Sequence, residues 1–222
     1  MEPIRAEFRR EAARGDMPVD LQAYTESGRD PLEPILLGSG SLDARLGIFG
    51  RDPGRTEVEL AEPFIGKGGQ LIRAALHRAR FGGDPPDIQA SIEAGREVFW
   101  CNTVPYKPVG NKAWSVGVKR RFAPMVETLF ATHWTGEDLI CCGNVAFFWF
   151  GMVDRSLKPL LDAHWKREDR YEVGLEIVFS GRAIRLHPLP HPSPLNARWY
   201  PRFPVMMDDC LSRIAWGAAS PE

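Results

Sequence analysis

Short apolar runs that end in polar, glycine- or proline-bearing breaks alternate along this chain with segments whose apolar residues recur at helical spacing. Arg45-Leu-Gly-Ile-Phe-Gly50 is such a run, broken by Gly50-Arg-Asp-Pro-Gly54, as a buried strand entering a loop would be. Behind it, Leu71, Ile72, Ala75, Leu76 and Ala79 share one face of a helix predicted from Gly68 to about Arg80. The unit recurs. Val98-Phe-Trp-Cys101 breaks at Asn102–Pro108 and is followed by a helix turning Phe122, Met125, Val126, Leu129 and Phe130 inward. Asp138–Cys142 ends at Gly143-Asn144 before an aromatic core helix, Phe147 to Phe150. Residues Tyr171 to Phe179 alternate as a hairpin or edge strand would. Ala183–Leu186 reads as a last core strand, running into His187 and the loop Leu189–Asn196, and a closing helix carries Val205, Met206, Leu211 and Ile214. At the start, Pro3 to about Arg14 reads as an amphipathic helix, joined by a polar, proline-rich connection to a plain turn at Gly38–Ser41, which fits neither a P-loop nor G-x-S-x-G.

This alternation predicts an α/β fold: a three-layer αβα sandwich around a central, mostly parallel four-stranded sheet with right-handed crossovers. One domain is expected over residues 1–222, with 1–44 as an N-terminal helical and loop extension. Strand order is not readable from the pattern. Asp52, Asn102, Gly143 and His191 each follow a predicted strand, and ligands of open α/β sheets bind beyond the carboxyl ends of the strands. Four dispersed polar stretches therefore converge on one crevice. The last of them, Leu189-Pro-His-Pro-Ser-Pro-Leu-Asn196, has prolines at alternating positions from Pro190 to Pro194, which fix φ and remove donors, so it is expected to be a rigid loop.

With 222 residues, 44% of them hydrophobic, the chain is long enough for one large core. No apolar run reaches membrane-spanning length and the first ten residues lack the apolar core of a signal peptide, so a cytoplasmic protein away from membranes is expected. None of the four cysteines, Cys101, Cys141, Cys142 and Cys210, forms a C-x-x-C pair; free thiols are expected, with no metal and no cofactor. The net charge of −1 argues against a nucleic-acid partner, but its distribution argues for one. Between Val98 and Val126 there is no acid, against Lys107, Lys112, Lys119, Arg120 and Arg121; between Val178 and Met207 again none, against Arg182, Arg185, Arg198 and Arg202. Chance clustering on solvated faces explains the charge equally well.

Five stretches in order, Gly50-Arg-Asp-Pro-Gly54, Glu62-Pro-Phe-Ile-Gly66 with Gly68-Gly69, Asn102, Cys142-Gly-Asn144 and His191-Pro-Ser-Pro-Leu-Asn196, resemble the uracil-DNA glycosylase superfamily over about Leu46 to Trp216. The pattern mixes branches. Pro-Phe-Ile-Gly and Gly54 are similar to the iron-sulfur branch, whereas Asp52 and the His-Pro-Ser-Pro-Leu sequence resemble the common, highly active branch. The latter has a tyrosine at the position of Gly54 that shields the pocket from thymine's methyl group, so exclusion of thymine falls here to another side chain or lapses. Cluster-binding cysteines are lacking before Cys101, and Lys119-Arg-Arg-Phe-Ala123 has alanine where a self-trapping branch has histidine, so ordinary turnover without a cluster is expected.

The resemblance implies roles. Asp52 would stabilise the cationic sugar and orient water, and His191 would donate to the O2 of the leaving uracil, aided by backbone N–H groups around Arg51 and Asp52. Asn102 would match O4 and N3–H of uracil with one amide, and Phe64 would stack on the flipped base. Leu195 would fill the vacated stack, Ser193 and the Gly143-Asn144 turn would hold flanking phosphates, and Arg198 would assist. The partner would be uracil-containing DNA, single- or double-stranded, bound by a monomer that leaves an abasic site in base excision repair. Three other readings stay open: excision of hypoxanthine or xanthine, a catalytically weak DNA-binding module of the same fold, and a nucleoside hydrolase. Asp52 is also ordinary Asp-Pro-Gly turn chemistry, Asn102 an ordinary turn asparagine, and Phe64 an ordinary core residue.

Overall fold

In a computed structural model of the chain, residues 1–217 are described. Five strands, β1 (Leu46–Gly50), β2 (Val98–Asn102), β3 (Asp138–Cys142), β4 (Leu175–Phe179) and β5 (Arg182–Leu189), form one sheet in the order β2-β1-β3-β5-β4. The expected four parallel strands are present, in register from Leu46 opposite Val98 to Cys142 opposite Leu189. The fifth is the alternating segment before Phe179, which pairs antiparallel with β5 as an edge. Its half-polar pattern befits an edge strand, whereas β1, β2 and β3 are buried at every position.

β5 runs three residues beyond its predicted end, through His187 and Pro188 to Leu189, because its parallel ladder to β3 continues to Cys142, although the ladder to β4 stops at Leu186. Past that point one edge of β5 has no strand partner, so Pro188, which cannot donate, fits opposite Cys141 of β3. The strand thus delivers the chain straight into the proline loop.

Helices cover both faces. On one lie α4 (Lys67–Phe81), α5 (Ile88–Ala94) and α9 (Phe203–Arg213), which bury Ile72, Leu76, Met207 and Leu211 against Leu46, Ile48 and Ile140. On the other lie α1 (Glu2–Ala12), α6 (Val116–Thr128, extended by a π-helical turn to His133), α7 (Asn144–Val153) and α8 (Lys158–Trp165). Alternate residues of each strand feed the two cores: Phe49, Phe99 and Leu139 point one way, Ile48, Trp100 and Ile140 the other. Short helices α2 (Leu21–Glu26) and α3 (Arg55–Leu60) pack together beside the carboxyl end of the sheet.

The N-terminal residues join the main core. Ile4, Phe8 and Ala12 of α1 are buried in the same cluster as Phe122 of α6, with Phe8 and Phe122 stacked at 5.9 Å. Arg121 fastens this contact, donating to Glu11 and Asp16 at 2.6 Å each. No helix among the described residues is long and apolar enough to cross a membrane.

Candidate active site

The carboxyl ends of β1, β2, β3 and β5 open into a cavity of about 590 Å³, lined among others by Gly50, Arg51, Asp52, Phe64, Asn102, Cys142, His191, Ser193 and Leu195. Asp52 therefore does share a crevice with His191. The turn carrying it is tied to the neighbouring strand end by Thr103 N–H to Gly50 O (2.9 Å), Val104 N–H to Arg51 O (3.3 Å) and Thr103 Oγ1 to Arg51 O (2.6 Å).

The Asp52 side chain is 3% exposed, and Arg51 Nε stands 2.8 Å from its Oδ1 without the alignment of a hydrogen bond. Burial raises this carboxyl to about 6, and Arg51, Lys107 and Lys119 limit the rise by their charge. His191 goes the other way: burial, helped by Arg51, lowers it to about 4, so the imidazole is neutral at pH 7. The carboxylate is thereby charged and the imidazole uncharged over the same neutral range.

Asn102 is 2% exposed, and its Nδ2 is buried with no hydrogen-bond partner. An orphaned buried donor costs about 1–3 kcal/mol, so its retention at a cavity wall marks a place where a ligand acceptor belongs. Phe64 forms the adjoining wall at φ +52°, with its ring 5.3 Å from Trp100. A Cβ at Gly50 would fall 2.5 Å from that ring, so glycine is needed there.

The strained Phe64 backbone is held by Arg73 of α4, which is fully buried. It donates to Phe64 O at 2.9 Å, Pro63 O at 2.7 Å, Ser91 O at 2.9 Å and Glu62 Oε1 at 2.8 Å, and its guanidinium lies 4.5 Å over Trp100. Glu62 in turn accepts from Ser39 N–H and Oγ at 3.0 and 2.8 Å. Glu57 is a second buried brace, accepting from Gly54 N–H at 3.0 Å and Gly66 N–H at 2.9 Å.

The proline loop is equally fixed. Ser193 N–H and Asn196 Nδ2 donate to His191 O at 2.9 and 3.1 Å, and Gly143 N–H donates to Leu189 O at 2.8 Å. The α4 N-terminus packs so closely that a Cβ on Gly68 would lie 2.1 Å from Pro192 O. Leu195 projects from the tip, 94% exposed.

A sequence model of the "Uracil DNA glycosylase superfamily" matches residues 37–215. The chain belongs to this superfamily. It is also 28% identical over 78 residues to the "Type-4 uracil-DNA glycosylase" of Thermotoga maritima, a stretch covering 35% of this chain and 34% of that protein.

In this superfamily member the cysteines do not suit an iron-sulfur cluster. Cys101 and Cys141 are buried in the core on one face of the sheet, Cys142 and Cys210 in the core on the other. Adjacent residues of β3 point to opposite faces, so the four sulfurs cannot converge on one cluster.

Of the residues singled out from the sequence, Arg51, Asp52, Phe64, Asn102, His191, Ser193 and Leu195 line the one cavity. Gly143 abuts His191 at its edge, while Asn144, at the exposed start of α7, and exposed Arg198 lie outside the lining. Lys119-Arg120-Arg121 lies within α6. His187 donates or accepts at 2.8 Å with buried Asp138, a structural pair within the sheet. The bracing roles of Glu57, Glu62 and Arg73 were not anticipated, although Glu62 opens the Glu62–Gly66 stretch. Glu57 had a signal, its place three residues after the Gly54 helix cap; the Arg73–Glu62 pair, eleven residues apart, had none.

Proposed function

We propose that this protein is a uracil-DNA glycosylase that hydrolyses the bond between uracil and deoxyribose in DNA, leaving an abasic site. The single observation that carries the reading is the buried, unpartnered Asn102 amide beside Phe64, in the cavity that also holds Asp52 and His191.

As the C1′–N1 bond breaks, its electron pair leaves with the base and positive charge grows on the sugar. Ionised Asp52 stabilises that charge and orients the water whose oxygen bonds to C1′. Neutral His191 donates to the developing O2 anion without having to lose a proton first. Asn102 offers Nδ2–H to O4 and its carbonyl to N3–H, a pairing cytosine cannot match, and Phe64 covers the ring. Flipping the nucleotide costs roughly a few kcal/mol, and exposed Leu195 stands where it can fill the gap, with Ser193, Gly143, Asn144 and Arg198 toward flanking phosphates.

Incubating the protein with a single-uracil oligonucleotide, followed by alkali, tests the proposal. Strand breakage at uracil is expected from the wild type, with loss of at least a hundredfold in Asp52→Asn and His191→Ala. No breakage with any uracil substrate sinks the reading, and breakage only at hypoxanthine or xanthine reassigns the base.

A further inference from the structure

Between the two turns assigned to DNA runs a row of half-buried aromatic rings that the proposed reaction does not use. Trp199 is rooted in the Leu195 loop, its N–H donating to Asn196 O at 3.0 Å. Its ring meets Tyr171 at 5.3 Å, Tyr171 meets Trp165 at 6.0 Å, and Trp165 meets Phe148 at 5.2 Å. Phe148 lies one helical turn after Asn144 on α7. The row thus links the tip bearing Leu195 to the Gly143-Asn144 turn.

Three guanidinium groups sit over these rings. Arg170 lies 4.8 Å from the centroid of Tyr171 and 5.6 Å from that of Trp165; Arg198 and Arg202 lie 4.8 and 5.9 Å from that of Trp199. None of the three forms an ion pair among the described residues, and the buried Nε of Arg170 has no hydrogen-bond partner at all. No nearby acid pairs with them: Asp169 is engaged by Arg167 at 2.7 Å, Glu168 and Glu172 are exposed, and Arg170 donates only through Nη1 to Arg167 O at 2.9 Å.

The structural cations of this fold, Arg73 and Arg182, are spent on buried carbonyls or a carboxylate, whereas the Arg198 and Arg202 side chains donate to no acceptor among the described residues. Rings interleaved with unpaired guanidinium groups supply instead planes for bases and charge for phosphates. An unpaired strand can use both. A duplex keeps its bases stacked inside and presents chiefly phosphates to such a surface, leaving the rings idle.

We infer that the Trp199–Tyr171–Trp165 row is a track for single-stranded DNA, holding unpaired nucleotides that flank the flipped one. The inference rests on the glycosylase reading for where the strand leads, and not for the binding itself.

Fluorescence polarisation with a uracil-free 12-nucleotide strand and with its duplex, at one salt concentration, tests it. The wild type is expected to bind the single strand at least tenfold more tightly. Trp199→Leu/Tyr171→Leu is expected to lose at least fivefold for the single strand and less than twofold for the duplex. Arg198→Ala/Arg202→Ala, at exposed positions where folding is not at stake, is expected to lose single-strand affinity as well. Equal wild-type affinity for the two DNAs, or equal losses for both in the ring variant, overturns the track and leaves a phosphate-binding surface. Ring-dependent single-strand binding without uracil release by the wild type would retain the track and remove the glycosylase reading; release with ring-independent binding would do the reverse.

Discussion

Asp52 and His191 are both displaced by burial, and the displacement of Asp52 carries a stability consequence that can be separated from catalysis. Its carboxyl, raised from 3.8 to about 6, holds a proton more tightly in the folded protein than in the unfolded chain. Ionising it in the fold therefore costs stability, nothing below about pH 4 and up to about 3 kcal/mol above pH 6. Asp52→Asn removes that cost. The variant is expected to need more urea than the wild type to unfold at pH 7.5, with the gap closing by pH 4; His191, lowered to about 4, loses stability on acidification in both proteins and cancels from the comparison. Uracil release by the wild type is expected to fall on the acid side of about pH 6, measured as single-turnover rates from pH 5 to 8, and a flat profile would separate Asp52 from the chemistry. Glu57 is the counterpart for selectivity. A Cβ at Gly54 would lie 2.7 Å from its carboxylate, so Glu57 occupies the wall that a larger side chain at 54 would form. Glu57→Ala empties that wall and orphans two half-buried N–H groups, those of Gly54 and Gly66. A rise in thymine release relative to uracil is expected from mismatched duplexes, together with about 1–3 kcal/mol of lost stability in urea titration.

At the level of elements, the site is held by α4 as much as by the loops it lines. Arg73 ties four acceptors from two segments, Glu62–Phe64 and α5, around Phe64, and with no side-chain exposure it has no water to fall back on. Arg73→Met leaves Glu62 buried and uncompensated, so a loss of about 3–5 kcal/mol is expected in urea unfolding; Glu62→Gln added to it should recover part of that loss. Full stability in the single variant would mean that water replaces the guanidinium. The sequence made α4 legible by its apolar spacing, and the parallel strands by unbroken apolar runs, since burial on both faces leaves no other pattern. It hid α3 and α5, of six and seven residues, which are too short for helical periodicity to stand out. It hid α8 behind Pro159, which falls at the first turn, where proline starts a helix rather than breaking one. The closing helix was legible as a helix, yet Val205 is 64% exposed while Phe203 and Met207 carry its buried face.

Across the whole molecule, strand-end polar residues gather because parallel strands share one carboxyl end, which is why most of the cavity was legible before strand order was. Charge was less legible, because a cation's use depends on what folds against it. Of the nine cations in the two acid-free windows, Lys107 pairs with Asp20 at 2.9 Å and Arg121 with Glu11 and Asp16. Arg185 pairs with Glu176 at 2.6 Å, and Arg182 donates to the carbonyls of Phe130, Trp134 and Gly136. Lys112, Lys119, Arg120, Arg198 and Arg202 form no ion pair among the described residues. With Arg170 of the ring row added, single-strand binding is expected to release counterions for at most about six phosphates, and the logarithm of affinity to fall against that of salt with a slope no steeper than about −4.2. Arg198→Ala should make the slope shallower by about 0.7. Arg182→Ala should leave the slope alone and lower the melting temperature instead, because it strips three backbone acceptors of their donor. A wild-type slope near −6, or an Arg182→Ala slope as shallow as that of Arg198→Ala, would mean that the structural arginines turn toward DNA, and that the folded charge pattern is not the one the strand meets.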